Sequence, residues 1–281
     1  MRLSIIIIEY HCMGQVESCV RSVAENLAGL DLECLVLSNS GYSRDELARY
    51  SEQLGDARLI AAPRNLGYAG GVNAALAEAG GDYVYVLNPD CLLTDGNVVR
   101  IMDEMDRSPE WAIAGPKVVD EEGNLQPSCR RFPKPWTFLL VRSVFARLPG
   151  ASRERRRYLM GDYGRESPRE VDWVSGGATI AKCEALKRIG GMDERYFLYM
   201  EDVDWCRSAW QSGYKVVYCP FSKVIHAGRH QSIKGGLQAL RNVHFRWHIT
   251  SLFKYFVKYH WRTRPCSRFY RETMGRAESS G

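Results

Sequence analysis

Through the first hundred residues, short apolar runs rich in β-branched side chains alternate with stretches of helical period, the pattern of strands joined by crossover helices in a parallel sheet. Leu3 to Ile8 reads as a buried strand. Val16, Cys19, Val20, Val23 and Leu27 then fall at helical spacing, predicting a helix that lays one face on the sheet before Glu33 to Leu37 returns as the second strand. Arg58 to Ala62 and Tyr83 to Leu87 predict further strands. Between them, Gly67, Gly70 and Gly71 open a predicted helix carrying Val72, Ala75, Leu76 and Ala79. Tight backbone at a helix N-terminus admits phosphate or ribose, and a helix-entry turn with no ligand has the same signature.

Ala112 to Val118 predicts a strand entering the polar turn Asp120-Glu121-Glu122-Gly123-Asn124. From Pro127 to Pro168 the periodicity is lost amid Pro133, Pro135, Pro149 and the basic cluster Arg153, Arg155, Arg156 and Arg157, which predicts a mobile lid or loop. Order returns with strands at Val171 to Val174, Ala178 to Ala181 and Lys215 to Tyr218, a helix at Glu184 to Ile189 and another near Asp202. After Gly236 the chain is helical in period and rich in aromatics. The expected organisation is one catalytic domain over residues 1–234, with an insertion at about 127–168, and a basic, aromatic helical extension over 235–281.

A length of 281 residues suits one α/β core with a modest appendage. The net charge of +5 is too small to imply nucleic acid, although basic residues gather late in the chain. Nine cysteines without a CxxC pair predict reduced thiols in the cytoplasm. No apolar run approaches the roughly 20 residues that span a bilayer, so membrane association is expected to be peripheral.

Three segments carry candidate chemistry. Leu87-Asn88-Pro89-Asp90 ends a strand in polar and acidic groups, where open α/β sheets bind ligands, and Asp90 offers a hard oxygen for Mg²⁺ or Mn²⁺ against a diphosphate. A plain Asn-Pro-Asp turn has the same residues. In Phe197-Leu198-Tyr199-Met200-Glu201-Asp202-Val203-Asp204, three carboxylates stand at a helix start. One can take the proton of an acceptor hydroxyl, and helix capping also favours acids there. His226 follows a strand and precedes Gly228, Arg229 and His230, and a lone histidine of this kind also serves structure.

Together with Asn65-Leu66-Gly67-Tyr68, Asp172-Trp173-Val174-Ser175-Gly176-Gly177 and Ile189-Gly190-Gly191-Met192-Asp193-Glu194-Arg195-Tyr196-Phe197, these segments resemble, in order and wording, the inverting family-two glycosyltransferases, especially their rhamnosyltransferase-like branch. The resemblance runs from about Leu3 to Ser232. It implies a Rossmann-like GT-A fold of the α/β class, with a mostly parallel central sheet and a helical C-terminal extension.

It further implies that Asp90 meets Mg²⁺ or Mn²⁺, that Asn88 lies near the sugar nucleotide, and that His226 completes the metal and diphosphate environment. Asp202 matches the catalytic base, with Glu201 the runner-up. Ser38, Asn39, Asn65 and Gly67 are implied on the donor side, and Asp172, Trp173 and Gly176 along the donor and acceptor pocket, where a tryptophan packed under the sheet is the alternative. The implied partners are a dTDP-sugar, foremost dTDP-rhamnose, or a UDP-sugar, and a glycan or polyprenyl-diphosphate-linked acceptor of bacterial surface glycan synthesis.

The sequence departs from the branch at Glu9 and His11, where asparagines are common, and at Ser38, which precedes Asn39 where an acidic nucleobase contact is common. A nucleotide-sugar-binding or assembly protein without turnover is therefore the rival reading. A Rossmann oxidoreductase is disfavoured because no G-x-G-x-x-G follows the first strand. His244 and His248 have zinc-like spacing but lack the accompanying glutamate, and Arg153 to Arg157 belongs to no nucleic-acid-binding motif, so no nucleic-acid partner is expected. Trp247, Phe253, Tyr255, Phe256, Tyr259 and Trp261 interleave with Arg246, Lys254, Lys258, Arg262 and Arg264. That composition suits an interfacial helix on the inner, anionic face of a membrane, packing against the catalytic domain, or a homodimer contact.

Overall fold

A computed structural model describes residues 2–142, 147–227 and 243–279. The elements follow in the order β1 (Leu3–Glu9), α1 (Met13–Asn26), β2 (Leu32–Ser38), α2 (Arg44–Gln53), β3 (Arg58–Ala61), α3 (Gly67–Glu78) and β4 (Tyr83–Leu87). Next come β5 (Cys91–Leu93), α4 (Val98–Arg107), β6 (Trp111–Val119), β7 (Cys129–Arg130), α5 (Thr137–Arg142) and α6 (Ala151–Tyr158). The chain continues through β8 (Arg169–Glu170), β9 (Trp173–Val174), β10 (Ala178–Lys182), α7 (Cys183–Ile189), α8 (Glu201–Gln211), β11 (Lys215–His226), α9 (Val243–Lys258) and α10 (Arg268–Ser279).

The central sheet has the order β3-β2-β1-β4-β10-β6-β11-β5, with β8 beside β11. Strands β1, β2, β3, β4, β6 and β11 run one way, while β10, β5 and β8 run against them. Every residue of β1 is buried because both faces of the sheet are covered. Ile6 and Ile8 join Ala69, Val72 and Ala75 of α3 on one side, and Ile5 and Ile7 join Val16, Cys19 and Val23 of α1 on the other. Each buried isoleucine or valine among them contributes roughly 1.5–3 kcal/mol.

Two crossover helices carry signals that the apolar spacing of the first strands does not include. Ser43 and Glu46 close a reciprocal capping box at the start of α2, and Val98, Ile101, Met102 and Met105 form the buried stripe of α4.

The expected loop at 127–168 is instead built from short helices with buried anchors. Phe132, Tyr158 and Met160 enter the main core, and the buried Glu154 carboxylate is held by Thr137 and Arg157, with Lys134 at 3.6 Å. Prolines interrupt the period there without preventing burial. The C-terminal helices are likewise part of the same core, since Tyr255, Phe256, Tyr259, Tyr270 and Met274 are all buried in it. The expected boundary at 234/235, along with Gly228, Arg229 and His230, lies outside the described residues.

Candidate active site

Antiparallel insertion of β10 beside β4 builds the centre of the site. Ala178, the first residue of β10, pairs with Leu87, the last of β4, so the Ser175-Gly176-Gly177 turn arrives beside Asn88. The Asn88 amide donates to the Gly177 carbonyl at 2.9 Å. On the other flank, His226 pairs in register with Cys91, and the Ala227 amide donates to the Asp90 carbonyl at 2.8 Å. These pairings set Nε2 of His226 3.2 Å from Oδ2 of Asp90, while Nδ1 of His226 meets Oε1 of Gln126 at 2.9 Å.

Asp90, Cys91 and His226 present ligand atoms within 4.8 Å of one another. Oδ1 of Asp90 and Oδ1 of Asn88 are buried with no hydrogen-bond partner among the described residues. Orphaned buried oxygens are costly unless a ligand satisfies them. A carboxylate oxygen, an amide oxygen and an imidazole nitrogen make a donor set that suits Mn²⁺ or Mg²⁺.

The catalytic helix candidate is α8. Tyr199 and Met200, immediately before it, both have left-handed backbone at φ +70° and +72°. For residues with side chains this costs roughly 1–2 kcal/mol each, and such strain persists where surrounding structure enforces it. The enforcement comes from α9. Oγ of Ser251 donates to the Leu198 carbonyl at 2.9 Å, and Trp247 and His248 pack on Phe197 and Tyr199 at 4.9 and 5.1 Å between ring centroids.

The three acids of α8 divide their work. Asp202 is half-buried, and its Oδ2 accepts the Gly176 amide at 3.0 Å while Oδ1 accepts the Val203 amide at 2.8 Å. Glu201 is buried beside it, with Oε2 unpartnered among the described residues. Asp204 points away into the C-terminal helices, where Lys258 at 2.7 Å and Tyr259 at 2.8 Å hold it. Burial pushes Glu201 well above the usual carboxylate range, with the Asp202 charge adding to it. Burial also raises Asp202, opposed by the Gly176 and Val203 amides and by the Arg130 charge.

Arg130 was not among the expected site residues, because it lies in the segment whose period is broken. Its guanidinium sits 4.8 Å over the Trp173 ring, and it lines a cleft with Asn88, Gln126, Ser175, Gly177 and His226. Gln126, which holds His226, and Tyr68, whose hydroxyl donates to the Gly176 carbonyl at 2.8 Å, were also missed. Pairings across 108 and 100 residues leave no local sequence signal.

On the donor side, Asn39 accepts the Leu66 amide at 3.0 Å and donates to the Gly67 carbonyl at 3.1 Å, and Asn65 accepts the Gly67 amide at 2.9 Å. Gly67 has φ +73°, and a Cβ there would lie 2.5 Å from the Phe197 carbonyl oxygen. The glycine therefore lets α3 start against the segment that leads to α8.

Two expectations are corrected. Asp172 does not face the pocket: it is 2% exposed, and its oxygens accept from the Phe132 amide, Arg131 and the Tyr270 hydroxyl. It ties the insertion and α10 to the core. Ser38 is also 2% exposed and gives its hydroxyl proton to Glu9 at 2.5 Å, so it has none for a nucleobase. Trp173 follows its alternative, buried in the core with Nε1 donating to the Arg131 carbonyl at 3.0 Å.

With this geometry, residues 4–164 match the family model described as Glycosyl transferase family 2, more than half of the chain. The N-acetylglucosaminyl-diphospho-decaprenol L-rhamnosyltransferase of Mycobacterium tuberculosis is 31% identical over 210 residues, which cover 69% of this chain and 65% of that protein. Rhamnosyltransferase WbbL of Escherichia coli K12 is 25% identical over 63% of this chain and 62% of its own length. These alignments thus span less than two thirds of either relative. Among solved structures, GalNAc-T7 with UDP, GalNAc and Mn²⁺ superposes with a TM-score of 0.63 at 17% identity, over 84% of this chain and 44% of that one. The likeness shows the shared GT-A fold.

Proposed function

Because the chain belongs to glycosyl transferase family 2, we propose that it is an inverting, nucleotide-sugar-dependent glycosyltransferase of surface glycan synthesis. The observation that carries this reading is the Gly176-Gly177 turn, whose adjacent residues bond Asp202 on one side and Asn88 on the other. The proposed proton acceptor and the proposed diphosphate-binding turn thus bond to neighbouring residues of one turn.

In the proposed reaction, Asp202 removes the proton of an acceptor hydroxyl while that oxygen attacks the anomeric carbon. The new C–O bond forms on the face opposite the diphosphate, whose own C–O bond breaks, so the configuration inverts. The nucleoside diphosphate leaves, and the proton stays on Asp202. General-base assistance of this kind is worth about 10²–10⁴-fold in rate. Glu201, whose carboxyl is pushed well above the usual range chiefly by burial, is the orienting neighbour rather than the first proton acceptor in this reading.

Asp90 and His226, with Asn88 beside them, would hold Mg²⁺ or Mn²⁺, supported by the orphaned Asp90 and Asn88 oxygens and by the Mn²⁺ of the GalNAc-T7 structure. When bound, the ion supplies positive charge against the departing diphosphate. Arg130 adds a second positive charge along the same cleft. Asn39, Asn65 and Gly67 shape the donor side.

The names of the relatives favour rhamnose, carried by dTDP, as the donor sugar and a polyprenyl-diphosphate-linked glycan as the acceptor, with a UDP-sugar as second choice. Peripheral contact with an anionic membrane face follows from such an acceptor.

The test is nucleoside diphosphate release by the purified protein, given dTDP-rhamnose, UDP-sugars or GDP-sugars, a polyprenyl-diphosphate-linked N-acetylglucosamine acceptor and Mn²⁺. Release that needs acceptor and is abolished by EDTA, and by Asp90→Asn in a folded protein, is the expected result. Nucleotide binding without release across the panel would instead favour the binding-only reading.

A further inference from the structure

The carboxylate missing from the end of β2 is present one strand away. Glu9, last in β1, is the register partner of Ser38, last in β2. It is fully buried, with no ion pair to it among the described residues. A buried carboxylate without a cation is unfavourable unless donors surround it. Here Oε1 accepts the Cys12 amide at 2.9 Å and the Tyr42 hydroxyl at 3.0 Å. Oε2 accepts Ser38 at 2.5 Å and Ser40 at 2.8 Å, and Ser40 lies 3.0 Å from Oε1 as well.

This arrangement fixes the direction of three hydroxyls. A hydroxyl has one proton and two lone pairs, so one whose proton is given to Glu9 can present only acceptors elsewhere. Ser38 spends a lone pair on the Ser40 amide and Ser40 spends one on the His11 amide. Ser40 and Tyr42 are only partly buried, so both residues reach the surface beside the Glu9 cluster. Around them stand the exposed Tyr10 and His11 rings, 4.5 Å apart, with His11 edge-on to Tyr42 at 6.2 Å.

The cluster lies at the carboxyl ends of β1 and β2, one and two strands from β4 and its Asn88 turn. At the usual strand spacing this is about 5–10 Å, within the span of one nucleoside diphosphate along the carboxyl edge of the sheet. Cys12, whose amide donates to Glu9, has its thiol raised chiefly by burial, with the Glu9 and Asp90 charges adding to it.

Resting on the nucleotide-sugar reading, we infer that Glu9 sets the nucleobase preference: it orders Ser40 and Tyr42 as acceptors for the imide N–H of thymine or uracil. Cytosine presents a ring acceptor at the same edge and would meet lone pair against lone pair. Glu9 is thus a positioning residue that acts through hydroxyls, and Tyr42 and Ser40 are the groups that touch the base. The Tyr42 hydroxyl, pushed up to about 12 chiefly by burial with Glu9 adding to it, stays protonated and keeps donating inward.

Calorimetric binding of dTDP, UDP and CDP, each with Mn²⁺, to the full chain tests the inference. Native protein should bind dTDP and UDP at least about tenfold more tightly than CDP, since an unmatched polar edge costs about that or more. In Glu9→Gln the amide donates, hydroxyl protons turn outward, and the ratio should collapse or reverse. Tyr42→Phe and Ser40→Ala keep Glu9 and should each reduce the dTDP preference several-fold with CDP affinity little changed, which carries the test if Glu9→Gln does not fold. Equal native affinity for CDP and dTDP, or a ratio untouched by both hydroxyl variants, would overturn the inference while leaving the transferase reading intact. Failure of all three nucleotides to bind native protein would sink both.

Discussion

The carboxylate of Asp202 accepts the backbone amide of Gly176 at 3.0 Å, and at that glycine a Cβ would lie 3.2 Å from Cβ of Asp202. Helix α8 is therefore docked on the β10 turn by the side chain proposed to act as base, in a position only a residue without a side chain allows comfortably. Asp202→Asn keeps an oxygen for the Gly176 amide and removes the basicity. Turnover should fall about 10²–10⁴-fold with donor affinity close to native, while loss of the acceptor for the Val203 amide lowers the melting temperature modestly. Near-native turnover in the folded variant would move the base assignment to Glu201, whose Glu201→Gln variant is expected to lose less.

The acid side of the pH–rate profile gives a second check. Burial raises Asp202 above the ordinary carboxylate range, and a base works only when deprotonated, so kcat/KM should fall as pH drops through that raised value. Arg130 is among the groups that hold the value down. Arg130→Met should move the acid limb to higher pH, besides weakening donor binding. A limb that stays fixed or moves to lower pH would separate Arg130 from the base.

Gly67 offers a structural prediction with a functional readout. Gly67→Ala combines a left-handed backbone with overlap against the Phe197 carbonyl oxygen at 2.5 Å. The conformational cost of about 1–2 kcal/mol and an overpacking cost of about 1–3 kcal/mol should together lower stability by roughly 2–5 kcal/mol. Phe197 leads directly to the strained residues before α8, so residual activity should drop more than the folded fraction. Denaturant unfolding paired with turnover measures both. A variant of native stability would show that the segment yields at no cost.

The parallel half of the sheet was legible because β1 and β4 are buried on both faces and leave continuous apolar runs. Asn88, Asp90, Asp202 and His226 were legible because each stands where a strand or helix begins or ends. The rest depended on pairings across the chain. Nothing around Arg130 says that it crosses Trp173, and nothing around Asp172 says that Tyr270, 98 residues later, takes its Oδ1. The bond between Ser38 and Glu9 shows in sequence only as two separate departures, and register makes them one feature. Proline-broken period at 127–168 was a poor guide because burial there is carried by single anchors such as Phe132 and Tyr158.

The aromatic extension divides its residues between two surfaces, and this gives a membrane test that truncation cannot. Tyr255, Phe256 and Tyr259 are buried, so cutting the chain before α9 would open the core. The opposite face exposes Ile249, Phe253 and Val257 at four-residue spacing, with Trp261 beyond them and the exposed Arg246 and Arg262 nearby. Leu139 and Trp136 of the insertion are also half-exposed, and Phe138 meets His248 at 4.8 Å, so α5 extends the apolar area beside α9. An apolar stripe flanked by basic residues fits an anionic bilayer surface. No helix among the described residues is long and apolar enough to cross a membrane, so such contact would lie along the surface. Native protein should float with vesicles containing phosphatidylglycerol and less so as salt rises. Phe253→Asp with Val257→Asp should remain with the soluble fraction while keeping native melting and nucleotide binding, because neither side chain contributes to the core. Equal flotation of both proteins would reject the surface as a membrane contact, and a concentration-dependent dimer dispersed by the same substitutions would assign it to a second copy of the chain.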